Sequence, residues 1–340
     1  MKKIILFILI AASGCQTPAN KNAGKTAESK PVHESSLIEL GGEKQYVEIT
    51  GASDQNPVLL FLHGGPGWPQ TPHLRYFNSD LTKSVTLVSW DQAGCGKSYM
   101  NNPEPKNLSA DRFVNDAHEL TQLLKKKFNK DRIFLAGFSW GSIIGLKLVE
   151  KYPEDYAAYF GISQVIDIQQ SIKLSRDWIA EQARLKGDTN MLKRVSQLEN
   201  GDTSFCKSTL ECFLQKYGML TEYGGAIYKK GMAAEIEKAE KNYEDYRNYD
   251  WFKAFMYSAN AIGDDLFTTN LSGISQLKIP AYFFMGRHDH SLPTIVTEGY
   301  VQKLKAPAKE IVWFEESGHE PLEEEAAAFN KAIAERILKK

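Results

Sequence analysis

Phe134-Leu135-Ala136-Gly137-Phe138-Ser139-Trp140-Gly141 is the stretch from which the fold of this chain is read. A short apolar run ends on a serine held between two glycines and passes into a helical pattern, as in a sharp strand-to-helix turn. A serine at the tip of such a turn takes strained backbone angles, and the chain passes so close on either side that a side chain two residues away would clash. Gly137 and Gly141 remove those clashes. The turn also sets the serine at the start of a helix, where unpaired amides and the positive dipole end favour a developing negative charge. Ser139 is thus a candidate nucleophile. A plain strand-helix turn with a capping serine has the same letters, so the rest of the chain must supply a base, an acid and an oxyanion site.

Outward from this turn, residues 57–62, 85–90, 133–137 and 157–162 are continuous apolar runs bounded by turn signals, the pattern of strands buried on both faces of a sheet. Residues 44–50 alternate weakly and read as an early antiparallel strand. Ser109 is placed to cap a helix whose apolar positions Phe113, Ala117, Leu120, Leu123, Leu124 and Phe128 share one face, and Pro153 stops the helix after Ser139. Strand-helix alternation predicts an α/β fold with a mostly parallel central sheet covered on both sides. It breaks at 163–266, which is helical, aromatic and charged, and reads as an inserted cap over the carboxyl ends of the strands. It resumes with strands near 281–285 and 310–314 and a closing helix started by Pro321. The domain reading is therefore a core at 37–162 and 267–340 with a cap at 163–266.

A serine hydroxyl needs a base, and the base needs an anion to fix its tautomer. His319 lies on the loop between the last strand and the last helix, where a sheet of this type returns a side chain to the nucleophile. For the acid, Asp289 in Gly286-Arg-His-Asp289 follows the preceding strand directly, and Asp167, after the strand before the cap, is its rival. His288 and His290 flank Asp289, but neighbours on an extended loop point apart, so no metal is expected.

The order Ser139, Asp289, His319 is that of one fold's triad. With His63-Gly-Gly-Pro-Gly67, Asp91-Gln-x-Gly-x-Gly-x-Ser98, Gly-x-Ser139-Trp-Gly and Gly-His319, the chain resembles the α/β hydrolases, and within them the proline iminopeptidase group. The resemblance runs from about 59 to 320 and excludes the cap. It implies an oxyanion loop at His63 to Gly67, presenting the Gly65 amide to meet that of Trp140, with His63 structural and the Asp91 segment a buttress. It implies release of an N-terminal proline or another small residue from short peptides, without cofactor, the free amine being held by cap glutamates. Glu222, beside Tyr223, is the counterpart the cap offers, so both are candidate substrate-binding residues. Ala93 stands where the group usually has arginine. An esterase or lactonase on the same triad is the alternative, and a lipid-anchored binding protein without turnover a third.

Of 340 residues, 42% are hydrophobic and 24% charged, and the formal charge is −1, with no basic stripe that would suit nucleic acid. Lys2-Lys3, the apolar run from Ile4 to Ala12 and Ser13-Gly14-Cys15 read as an export signal at 1–15. The segment resembles the lipobox of bacterial lipoproteins, which implies lipidation of Cys15 and a membrane-anchored place in the cell envelope. Residues 16–36 have linker composition and read as a tether reaching on the order of 25 Å. Cys206 and Cys212 are close enough in sequence to close a small loop in an oxidising compartment, and Cys95 is left for packing.

Overall fold

A computed structural model describes residues 29–263 and 265–339; the signal-like segment with Cys15, and the tether-like stretch as far as residue 28, lie outside the described residues. Strands β1 (Val32–Leu40), β2 (Glu43–Gly51), β3 (Val58–Leu62), β4 (Thr86–Asp91), β5 (Ile133–Phe138), β6 (Tyr156–Ile162), β7 (Ala281–Gly286) and β8 (Lys309–Phe314) form one sheet. Their order is β1-β2-β4-β3-β5-β6-β7-β8. From β4 to β8 every pairing is parallel, while β2 joins β4, and β1 joins β2, in antiparallel fashion.

The helices are α1 (Thr71–Phe77), α2 (Gly96–Asn101), α3 (Ala110–Phe128), α4 (Trp140–Lys151), α5 (Ile168–Lys186), α6 (Thr189–Glu199) and α7 (Thr209–Glu222). They continue with α8 (Met232–Lys241), α9 (Trp251–Ile262), α10 (Asp265–Thr268), α11 (Thr294–Lys303), α12 (Pro321–Glu324) and α13 (Ala326–Leu338). Ser109 caps α3, its hydroxyl accepting from the Arg112 amide at 3.2 Å. Successive residues of the central strands feed opposite faces, as the strand period of two requires. Leu60, Leu62, Leu135 and Phe283 pack with α3, α4 and α11. Leu59, Phe61, Ala136 and Phe284 pack with Phe329, Ile333 and Ile337 of α13. All five residues of β3 are buried, which is why that run shows no polar alternation.

Two sequence expectations change at the ends of the core. The tether reading ran to residue 36, but Val32 already enters β1, whose register places Val32 opposite Gly51 and Leu40 opposite Glu43. Most of β1 is exposed and is held through backbone pairing to β2, so its residues carry no hydrophobic pattern. The closing helix begins at Pro321 but breaks at Glu325, whose carboxylate turns back to accept from the Glu316 amide and the Ser317 hydroxyl.

Between β6 and β7 the described residues form helices α5 to α10 and no named strand. This cap has an apolar centre of its own around Ile179, Met191, Met219 and Leu220, and a second, around Tyr246, Tyr249 and Ala254, that it shares with Tyr99 of α2. It is pinned to the core where the Tyr246 hydroxyl donates to buried Asp91 and the Tyr249 hydroxyl donates to the Gly67 carbonyl, each at 2.6 Å. The sulfurs of Cys206 and Cys212 lie at bonding distance in the cap with Cα atoms 5.1 Å apart, and Cys95 is buried.

Candidate active site

Ser139 ends β5 and precedes α4 at φ 48° and ψ −112°, a backbone conformation that non-glycine residues rarely adopt. A Cβ on Gly137 would run into the Gly141 carbonyl, and one on Gly141 would strike the carbonyls of Leu62 and His63 on the neighbouring strand. The glycines are therefore the condition for the turn. Ser139 Oγ lies 3.0 Å from His319 Nε2, and His319 Nδ1 donates to Asp289 Oδ2 at 2.8 Å. The other oxygen of Asp289 accepts from the amides of Ser291 and Leu292 at 2.8 and 2.9 Å, which fixes the carboxylate. Asp167 is elsewhere, capping α5 and accepting from Asn270, so the rival acid is not beside the histidine.

The space at Ser139 is bordered by Gly65 and Trp140, which together with His319 line a small recess of about 60 Å³. Trp140 is the first residue of α4, so its amide is one of the helix-start donors without an intrahelical acceptor. His63 donates from Nδ1 to the Gly64 carbonyl at 2.6 Å and accepts at Nε2 from the Gln92 amide at 3.2 Å. Burial holds its pKa down to about 4, so it is a neutral strut of this loop. Gln92 also accepts from the Trp140 indole at 3.2 Å, which ties the Asp91 segment to the serine turn.

The cap holds the base loop in place. The Ala226 carbonyl accepts from the His319 amide at 2.6 Å, and the Gly225 carbonyl accepts from the His290 amide at 2.9 Å. Glu324 joins the same parts: one oxygen accepts from Gly318 at 2.7 Å and the other from Tyr228 and Lys229 at 2.8 and 2.7 Å. His288 and His290 are each covered by a ring, Tyr228 stacking at 3.5 Å and Trp178 at 4.0 Å.

A cavity of about 410 Å³ opens from Ser139 and His319 beneath the cap. Three carboxyls line it: Glu240 of α8, Glu320 beside the histidine, and Glu323 one helical turn further on. Glu323 accepts from Gln70 Nε2 at 2.9 Å and from His73 Nδ1 at 2.5 Å, both on one oxygen. Its other oxygen is buried with no protein partner. Glu240 accepts from the Trp68 indole at 3.1 Å and stands 3.7 Å from His73 Nε2, an ion-pair separation.

Burial by itself would push His73 and His319 down, but neighbouring carboxylates overturn it in both. His73 rises to about 10 through Glu323 and Glu240, and so stays cationic. His319 rises to about 9 through Asp289, with Glu320 and Glu324 adding to it. Glu320 is raised to about 8, first by burial and then by the charge of Glu323. Burial and that neighbouring charge thus favour the protonated form of Glu320, while Glu323 and Glu240 both face cationic His73.

A family model described as the alpha/beta hydrolase fold matches residues 57–326. The chain belongs to the α/β-hydrolase family. Among its relatives, a probable aminopeptidase (YbaC) of Bacillus subtilis strain 168 is 29% identical over 311 residues, covering 90% of this chain and 97% of that protein. A proline iminopeptidase of Heyndrickxia coagulans is 25% identical over 304 residues, covering 87% and 95%. The crystal structure of a proline iminopeptidase from Mycobacterium smegmatis superposes with a TM-score of 0.64 at 16% identity, covering 91% and 98%, a likeness of fold.

In this hydrolase the substrate-binding expectation is corrected. Glu222 pairs outward with Arg194 at 2.8 Å and is half exposed. The Tyr223 hydroxyl donates to Asp188 at 2.9 Å. Neither residue lines the cavity. Both sit at the end of α7, and no local pattern tells an inward carboxylate from an outward one on a charged helix. The carboxyls that do line it went unread. Glu320 and Glu323 were open to reading as an i, i+3 pair beside His319, whereas Glu240 has no sequence signal apart from its helix.

Proposed function

We propose that this α/β hydrolase is a serine aminopeptidase, using Ser139, His319 and Asp289 to release an N-terminal residue whose free amine is held by Glu240, Glu320 and Glu323. The observation that carries this is the cavity itself, whose wall includes both the Ser139–His319 pair and the three carboxyls. An N-terminal ammonium lies two bonds from the carbonyl carbon attacked, so its anchor must share the space of the nucleophile. The relatives named aminopeptidase and proline iminopeptidase support the same reading.

His319 takes the proton of Ser139 as its oxygen attacks the carbonyl carbon. The Gly65 and Trp140 amides receive the oxyanion, each such donor being worth about 3–4 kcal/mol in the transition state. Imidazolium His319, steadied by Asp289, protonates the departing amine. Water then enters, gives its proton to His319 and releases the acid. The apolar wall of the cavity suits an acyl ester equally well, so an esterase is the second reading. A fluorophosphonate probe should label the wild type and spare Ser139→Ala; equal labelling removes the nucleophile. Cleavage of short acyl esters with no cleavage of aminoacyl anilides decides for the esterase.

Export and lipid attachment at Cys15 complete the proposal, placing the enzyme at a membrane of the cell envelope, where a Cys206–Cys212 disulfide is chemically at home. Radiolabelled palmitate should enter the full chain and not Cys15→Ala; equal incorporation removes the anchor.

A further inference from the structure

The acid cluster fixes where the N-terminal residue must lie. With its amine at Glu240, Glu320 and Glu323 and its carbonyl at Ser139, the whole residue sits inside the 410 Å³ cavity. Taking the roughly 30 Å³ share of a water molecule as an upper bound for each covalently bonded heavy atom, a prolyl residue with seven takes at most roughly 200 Å³ and a phenylalanyl residue with eleven at most roughly 330 Å³. Proline therefore leaves at least about half of the space empty. An apolar hollow gains from each methylene that fills it and loses contacts where it is left void.

The walls of that surplus space are apolar, and their sequence spacing shows why they face it together. Phe213 and Tyr217 are i, i+4 on α7, Phe252 and Phe255 are i, i+3 on α9, and Ile236 stands one turn before Glu240 on α8. Helix α8 thus presents an apolar side chain and an amine-binding carboxylate from one face. The recess on the Trp140 side is much smaller, about 60 Å³.

Resting on the aminopeptidase reading above, we infer that the enzyme prefers a bulky apolar N-terminal residue, phenylalanine or leucine, over proline. The test is kcat/KM of the purified full-length protein for the aminomethylcoumarin amides of Phe, Leu, Pro and Gly. Phe or Leu should exceed Pro by about 10-fold or more, since one methylene in such a pocket is worth roughly 10–200-fold. Proline equal to or better than both overturns the inference and leaves the aminopeptidase reading standing. Failure to cleave any of the four by protein that still reacts with fluorophosphonate overturns both. Ile236→Phe on α8 and Leu214→Trp, at a residue of α7 that also lines the cavity, each fill the hollow from a different helix and should cut the Phe substrate at least about 10-fold while Pro changes less than about 3-fold. A uniform loss across the series in both variants also overturns it.

Discussion

The rim of the sheet and the cap that covers it carry equal shares of this site, yet they are built in opposite ways. At the rim, Ser139, Asp289 and His319 each follow a strand by a few residues; a turn that two glycines permit holds Ser139 and a pair of nearby amides holds Asp289, whereas His319 leans on the Ala226 carbonyl of the cap. Beneath the cap, the carboxyls come from α8 and from the residues after His319; Glu323 accepts from Gln70 and from His73 of α1, and Glu240 stands at ion-pair distance from the same His73. Two of the three rim residues are local solutions. The cap cavity exists only after distant segments have packed. Chemistry is thus placed by short motifs, whereas choice of substrate is placed by tertiary contacts.

Asp289→Asn should separate the two halves most sharply. It leaves the shape of the rim intact but favours the wrong tautomer of His319, so kcat should fall by about 10⁴-fold with KM nearly unchanged for any substrate. Steady-state kinetics on an aminoacyl anilide and on a short ester reads this directly. Equal, small losses on both would make Asp289 structural.

Glu323→Gln and Glu240→Gln act on the cap side alone. Each removes a charged partner of the substrate ammonium, worth about 1.5–3 kcal/mol, and kcat/KM for free-amine substrates should fall roughly 10- to 100-fold. Hydrolysis of an ester without an amine should change little. Parallel losses on both substrate types would show that the carboxyls support the fold and do not read the amine.

Glu324 bridges the halves, so its replacement should give a smaller, mixed result. Glu324→Gln trades one acceptor oxygen for a donor and loosens either the Gly318 amide or the strap at Tyr228 and Lys229. A fall in kcat of about 10-fold is expected. Only neutral His319 can act as base, and its pKa is raised to about 9, so the acid limb of kcat/KM lies well above the ordinary histidine range and activity climbs as pH rises through it. Because Glu324 contributes to that rise, Glu324→Gln should move the limb to lower pH. A limb that stays in place while kcat drops would reduce Glu324 to a fold contact.

Glu222→Ala should do least. Its carboxylate meets Arg194 at the surface, where an exposed pair is worth about 0–1 kcal/mol, and kcat/KM should stay within about 2-fold.

The same contrast explains what could be read before any coordinates. Strands β3 to β7 were legible because burial on both faces leaves unbroken apolar runs, and Ser139 and Asp289 were legible because each follows such a run by a few residues, while His319 follows the half-exposed β8. Strand β1 was not, since an edge strand held by backbone pairing needs no apolar code, and its first part, Val32 to Ser36, passed for linker. Glu222 and Glu240 both lie on charged cap helices, and only packing turns one toward Arg194 and the other toward Trp68 and His73. The resemblance implied release of proline or another small residue, and the cavity that the aromatic faces of α7 and α9 help to line has at least about twice the volume of a prolyl residue.

The account stands most directly on one comparison: cleavage of leucyl-aminomethylcoumarin against its N-acetylated form by the same preparation. With the ammonium needed at Glu240, Glu320 and Glu323, acetylation should lower kcat/KM by at least about 100-fold. Equal cleavage of the two would contradict it, leaving an acyl hydrolase whose buried carboxyls serve some other end.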